Sequence, residues 1–196
     1  MAGDLARGFK SAAERLAIAV RHDLGLDPLA PIDCAEICKD LGIPIVTVPE
    51  LVSSGASPHS IQRILAPHAK FSAMTVAAGT RRLIVYNPRH PAGRRANSLA
   101  HELSHILLEH PMLPALGEGG CRVWDSRLEA EADWQAGTLL VPREAGLAWM
   151  RSNGSLEEGA IHFGVSVQLF QWRVDQTGVR RQLAASSFPA KRRRSA

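Results

Sequence analysis

His101-Glu102-Leu103-Ser104-His105 lies inside a stretch, Arg95 to His110, whose apolar residues recur at helical spacing. Leu99, Leu103, Ile106 and Leu107 form one stripe, the side expected to face a core. His101 and His105 lie off that stripe. Four residues apart, they leave the helix on one face with Cβ atoms roughly 5–6 Å from each other. Two ring nitrogens so spaced can converge on a zinc ion at about 2.0–2.1 Å each. Glu102, offset by one residue, can reach a water beside the metal without ligating it. A carboxylate there can take the proton of a water whose pKa the metal has lowered to near 7. The stretch therefore predicts metal-assisted hydrolysis, most commonly of a peptide bond. The plain alternative is a surface helix with two unrelated histidines, but a solvated pair has no use for the Glu between them.

A zinc hydrolase needs three protein ligands and one open position. Pro111 occupies the place, ten residues after His101, where a third His would fall, so that arrangement is excluded. His110 sits one residue short, at the helix end, where a cation beside the last carbonyls is ordinary. The better candidate lies downstream, between Ser126 and Pro142. Asp125 or Ser126 can cap a helix there, and Glu129 and Asp133, four apart, share a face. Glu129 is expected as the third metal ligand, and Asp133 as an acceptor holding a ligand imidazole by its other N–H. Glu131 projects about 200° from Glu129 and is expected in solvent. The competing reading leaves all three carboxylates as surface charges, the commoner fate of acidic residues. Zinc is the cation expected from the ligand types, although manganese or iron suits such a set too. No oxyanion stabiliser is identifiable, with Tyr86, the only tyrosine, a weak candidate.

The segments HELSHILLEH and EAEADWQAGTLLVP together resemble the ImmA/IrrE family of bacterial zinc metallopeptidases. That family's pattern is an HELGH helix, a short loop, and a helix of the form E-x-x-A-N/D running into a leucine-rich LLxP end. Glu129, Ala132 and Asp133 match it, as do Leu139, Leu140 and Pro142. DCAEICKDLGIPIVTV, RRLIVYNPRHPAGRRANSLAHE and IHFGVSVQLFQWRVDQTG extend the resemblance over residues 30–180. Ser104 departs from the usual Gly, a change that helix propensity tolerates. The resemblance implies an α+β, zincin-like minimal metallopeptidase, with a small antiparallel or mixed sheet packed on the HExxH helix. It also implies an intracellular endopeptidase that cleaves a helix-turn-helix repressor in a stress-response or mobile-element system. The alternative from another class is a DNA- or protein-binding regulator whose metal site is structural or vestigial.

At 196 residues and 21.2 kDa the chain can hold one main core and a small appendage. No apolar run approaches a membrane span, and Leu16–Val20 is too short for a signal-peptide core, so a cytoplasmic protein is expected. Cys34, Cys38 and Cys121 form no disulfide framework, and the first two read as small core residues. The pI near 9.3 invites a nucleic-acid reading. Yet four of the 23 basic residues are the run Lys191 to Arg194, and without it basic and acidic residues balance at 19 each.

Helical spacing runs from Leu5 to Leu24, and Asp33 opens a second helix that Gly42 stops. Ile43–Val48 reads as a strand that Pro44 confines to an edge or a first position. Phe71–Ala77 and Arg82–Tyr86 read as a hairpin, and one of its edges offers a place for an extended substrate. Pro111–Trp124, rich in Pro and Gly, reads as a mobile wall or lid of a cleft, or equally as a plain connector. Three helices follow, Arg143–Arg151, Leu156–Phe163 and Val167–Val174, the last two a helix-turn-helix-like pair. The second of that pair offers Gln168, Gln171 and Arg173 among bulky apolar residues, so packing or repressor docking is expected rather than DNA reading. The expected organisation is a metallopeptidase domain over 1–142, a helical segment over 143–184 and a disordered basic tail over 185–196.

Overall fold

A three-stranded sheet forms the floor of the molecule in the computed structural model, which describes residues 5–111 and 125–186. The strands β1 (Ile45–Thr47), β2 (Ala73–Ala78) and β3 (Arg81–Tyr86) lie in the order β1-β3-β2. β1 runs parallel to β3, with Ile45 opposite Ile84, and β2 runs antiparallel, with Thr75 opposite Ile84. Gly79, with φ of 60°, takes the first central position of the two-residue turn between β2 and β3, a conformation that glycine adopts without steric cost. Strand alternation divides the apolar residues between two faces. Ile84 and Ile45 join the main core, whereas Val85, Leu83, Val46 and Met74 join a smaller cluster beneath helix α3 (Pro58–Ile64).

Helices α1 (Phe9–Asp23), α2 (Cys34–Asp40), α4 (Ala92–Leu107) and α5 (Ser126–Leu140) build the main core with α6 (Arg143–Arg151), α7 (Leu156–His162), α8 (Val167–Gln176) and α9 (Val179–Ser186). The described residues thus make a mixed α+β fold, as expected, with nine α-helices and a small mixed sheet. α4 carries the HExxH sequence and packs against β2, β3 and, most extensively, α5. Asp125 caps α5 by accepting hydrogen bonds from the Arg127 and Leu128 N–H groups. Its first turns apart, α5 is buried on nearly every side, from Glu131 and Ala132 through Trp134 to Leu140. The first turn of α4 lies so close to the α7–α8 turn that a Cβ on Gly93 would stand 2.7 Å from the Ser166 nitrogen.

The C-terminal carbonyls of α5 point into the protein and need donors. Two buried arginines supply them. Arg21 of α1 donates from Nη2 to the Leu139 carbonyl at 2.7 Å, and Arg173 of α8 donates from Nε to the Val141 carbonyl at 2.9 Å. Arg173 also donates from Nη2 to Glu14 Oε1 at 2.6 Å, while the other Glu14 oxygen accepts from the Arg143 N–H that opens α6. Burial lowers the Arg21 pKa to about 10, which leaves the group cationic at neutral pH. Arg173 is thus committed inward, and the exposed side of α8 presents Gln168, Gln171 and Asp175 instead.

Several boundaries differ from the sequence reading for local reasons. The first strand stops at Thr47 because Pro49, lacking an N–H, starts a 3-10 turn over Val48–Val52, with Glu50 accepting from the Thr47 N–H and hydroxyl. α4 begins at Ala92 rather than Arg95, directly after Pro91, and α9 was not expected at all. Glu131 is the substantive correction. Expected in solvent, it is only 8% exposed, because α5 is a central helix and its far side meets protein rather than water. Cys34 and Cys38 are buried free thiols, and burial pushes both pKa values up. The connector expected as a lid falls at 112–124 and most of the basic tail at 187–196, both outside the described residues. Arg173→Met should cost about 3–5 kcal/mol by stranding Glu14 and a carbonyl, with part recovered in the Glu14→Gln/Arg173→Met double variant. Urea unfolding of the unaltered protein and both variants measures it.

Candidate metal centre

α4 and α5 cross so that three ligand-type atoms from distant parts of the chain meet. His105 Nε2 lies 3.2 Å from His101 Nε2, and Glu129 Oε2 lies 3.3 Å from that His101 nitrogen and 3.8 Å from His105 Nε2. Tetrahedral bonds of about 2.0–2.1 Å require ligand atoms about 3.3–3.4 Å apart, so the triangle fits a zinc-sized cation without rearrangement. His101, His105 and Glu129 are the one group among the described residues able to hold a metal in this way. Each is mostly shielded, with side-chain exposures of 21%, 17% and 16%.

Both Nε2 atoms face the shared point, so both Nδ1 atoms must carry protons and find acceptors. His101 Nδ1 is 2.8 Å from Asp133 Oδ1, where sequence spacing put an acceptor. His105 finds a partner that the sequence reading passed over. Its Nδ1 lies 2.9 Å from Nδ1 of His110, which must then be the neutral tautomer with its proton on Nε2. That Nε2 lies 3.4 Å from Glu131 Oε2, a close contact whose angle falls short of a directed hydrogen bond. The other Glu131 oxygen accepts from Arg127 Nε at 3.0 Å. Burial lowers the His110 pKa, which favours the neutral form that this arrangement needs.

A left-handed residue makes the contact possible. Glu109 has φ of 53°, which ends α4 in a tight turn and sends the His110 N–H back to the His105 carbonyl at 2.9 Å. Glycine would adopt that conformation at lower cost, so a Glu there gives no warning in the sequence. His110 is therefore a buried partner of a candidate ligand, its side chain 6% exposed, and not a solvated cation at a helix end. The Arg127–Glu131 spacing of four residues was the one available signal.

Glu102 sits on the sheet side of α4. Thr75 of β2 donates from its hydroxyl to Glu102 Oε2 at 2.8 Å, a second link absent from the sequence reading. Tyr86, at the end of β3 opposite Ala73, makes no described contact with the cluster. Charges within the cluster are mutually dependent. Burial alone would lower the His101 pKa, but its bonds to Asp133 and Glu129 outweigh that and push it up to about 10. Burial alone would raise the Glu129 pKa, yet the two imidazoles hold it well below the usual carboxylate range. Without a metal, then, His101 carries a proton that a cation must displace.

Zinc uptake at neutral pH should release that proton, and affinity should fall as pH is lowered; indicator titration in weak buffer reads both. Removing the His105 partner with His110→Ala should weaken zinc binding about 10–100-fold, with His110→Gln retaining more, as measured against a chromophoric chelator.

A family model for the IrrE N-terminal-like domain, peptidase M78, matches residues 38–175. Among solved structures, a Mycobacterium tuberculosis transcriptional regulator is similar at 19% identity and a TM-score of 0.49, over 87% of this chain and 48% of that one. The chain thus spans about half the length of that regulator. None of the curated proteins compared matches the sequence significantly. The family match takes in the whole sheet, α4, α5 and the residues that meet between them, and the chain belongs to the IrrE N-terminal-like, peptidase M78 family.

Proposed function

We propose that the protein is a zinc-dependent endopeptidase whose substrate is a helix-turn-helix transcriptional repressor. The observation that carries the peptidase reading is the convergence of His101, His105 and Glu129 beside a carboxylate, Glu102, that is not among the converging atoms. A metal held only for structure has no need of a separate base. The repressor as substrate rests on the family resemblance.

His101, His105 and Glu129 would hold the zinc ion, which would supply Lewis-acid polarisation and a lowered water pKa when bound. The protein's own groups do the rest. Glu102 takes the proton of the attacking water and returns it to the leaving amine. The Thr75 hydroxyl holds one Glu102 oxygen, leaving the other free for that transfer. β2 is an edge strand, with β3 on one side and no strand among the described residues on the other. An extended polypeptide added along that edge would pass Thr75 and so lie beside Glu102, with main-chain hydrogen bonds fixing its register.

Glu102→Gln should retain zinc while losing cleavage of a repressor by a factor of about 10² or more, whereas His101→Ala should lose both. Incubation of the zinc-loaded protein with helix-turn-helix repressors from the same genome, resolved by mass spectrometry, measures the cleavage. A Glu102→Gln protein that still cuts would remove the base assignment. Repressor binding without cleavage by the wild type would favour a regulator with a structural metal.

A further inference from the structure

Charge is unevenly divided along the chain. Residues 51–101 contain none of the 19 Asp and Glu but seven of the 23 Arg and Lys. This acid-free stretch comprises α3, β2, β3 and the start of α4, the elements that lead to the metal centre. None of its seven basic side chains pairs with a carboxylate among the described residues. Elsewhere Lys39, Arg127, Arg143, Arg173 and Arg180 all do. With no acid of its own and no carboxylate partner from the other described elements, this stretch carries an uncompensated positive charge.

Their placement is specific. Arg94 donates from Nη2 to the Ser72 hydroxyl at 2.9 Å, Arg89 from Nη1 to the Leu65 carbonyl at 2.8 Å, and Arg95 from Nη1 to the His90 carbonyl at 2.8 Å. His90 in turn stands 3.0 Å from the Phe71 carbonyl. These bonds gather Arg89, Arg94 and Arg95, with Lys70, around the residues that lead into β2. At its other end, Arg81 and Arg82 begin β3 opposite Ala78 and Ala77. Thr75, which touches Glu102, lies between the two groups. Ser72 is three residues from Thr75, about 10 Å of extended chain.

We infer that this cationic rim selects polypeptide substrates bearing Asp or Glu about three residues from the bond to be cut. The inference rests on the endopeptidase reading for its site, and on charge for its specificity. Backbone pairing to a strand edge is blind to sequence, so discrimination has to come from side chains at the ends of the edge. Opposite charge there raises the association rate and fixes register. A nucleic acid fits less well, because the path between the two cationic groups runs past Glu102, which would repel a phosphate backbone.

The test has two arms. In the first, the zinc-loaded protein digests a proteome-derived peptide library. Cut sites should be enriched in Asp and Glu about three residues from the scissile bond, and the enrichment should vanish in Lys70→Glu/Arg94→Glu. Cleavage without acidic enrichment overturns the proposal. In the second, zinc-loaded Glu102→Gln protein is titrated into a labelled Glu-rich peptide, its Gln-substituted counterpart, and a labelled DNA duplex, with fluorescence anisotropy as readout. The Glu-rich peptide should bind tightest, with affinity reduced about tenfold in protein also carrying Lys70→Glu/Arg94→Glu and unchanged by Arg192→Glu/Arg193→Glu. Lys70 and Arg94 are exposed, and the milder Lys70→Gln/Arg94→Gln should give a smaller loss in the same direction. Equal binding of the two peptides, tighter binding of DNA, or loss caused by the Arg192/Arg193 change overturns the proposal. A library left uncut while the Glu-rich peptide still binds through Lys70 and Arg94 sinks the peptidase reading alone.

Discussion

The packing of α4 against α5 brings two imidazole nitrogens and one carboxylate oxygen within 3.8 Å of one another, although Glu129 is 24 residues beyond His105 in the chain. Placing like-facing lone pairs together in a shielded site is costly unless a cation sits among them. Without a metal, a protonated His101 ring fills that role in part, with Asp133 at its Nδ1 and Glu129 at its Nε2. The surroundings are therefore arranged for positive charge before any metal arrives. The asymmetry of the outer partners matters too. An exposed carboxylate orients His101, whereas a buried imidazole backed by Glu131 and Arg127 orients His105.

Such a site needs α5 to be fixed along its length, and the rest of the fold is organised to that end. Its N-terminus is capped by Asp125, and its C-terminal carbonyls take hydrogen bonds from Arg21 and Arg173. Those arginines come from α1 and α8, so both ends of the sequence contribute to holding the helix that bears Glu129. Glu14 joins them by accepting from Arg173 and from the first N–H of α6. Interior charges of this kind add little net stability, but once one partner is present the other is strongly required.

The sheet contributes position and charge. β3 is central, and β2 lies at the edge beside α4 with Thr75 on Glu102. Acidic residues are excluded from the chain that builds this side, while the acidic cluster itself comes from α4 and α5. The result is a negative centre within a positive approach, which suits a cation at the centre and an anionic polypeptide around it.

The sequence by itself carried the periodicity of α4, the four-residue spacings of His101 with His105 and of Glu129 with Asp133, the Asp33 and Asp125 caps, and the β2–β3 hairpin. Each is a local property, set by helix or strand geometry and by side chains that cap a neighbouring backbone. Only the tertiary structure decided what lies across from those residues. Glu131 is buried because α5 has protein on both sides, which a helical wheel cannot show. His110 meets His105 because Glu109 accepts a left-handed conformation that its side chain does not advertise. Arg173 points inward to a carbonyl 32 residues away, and Thr75 reaches Glu102 across 27 residues. Contacts at that separation depend on how elements pack, and packing is a property of the whole chain rather than of any window within it.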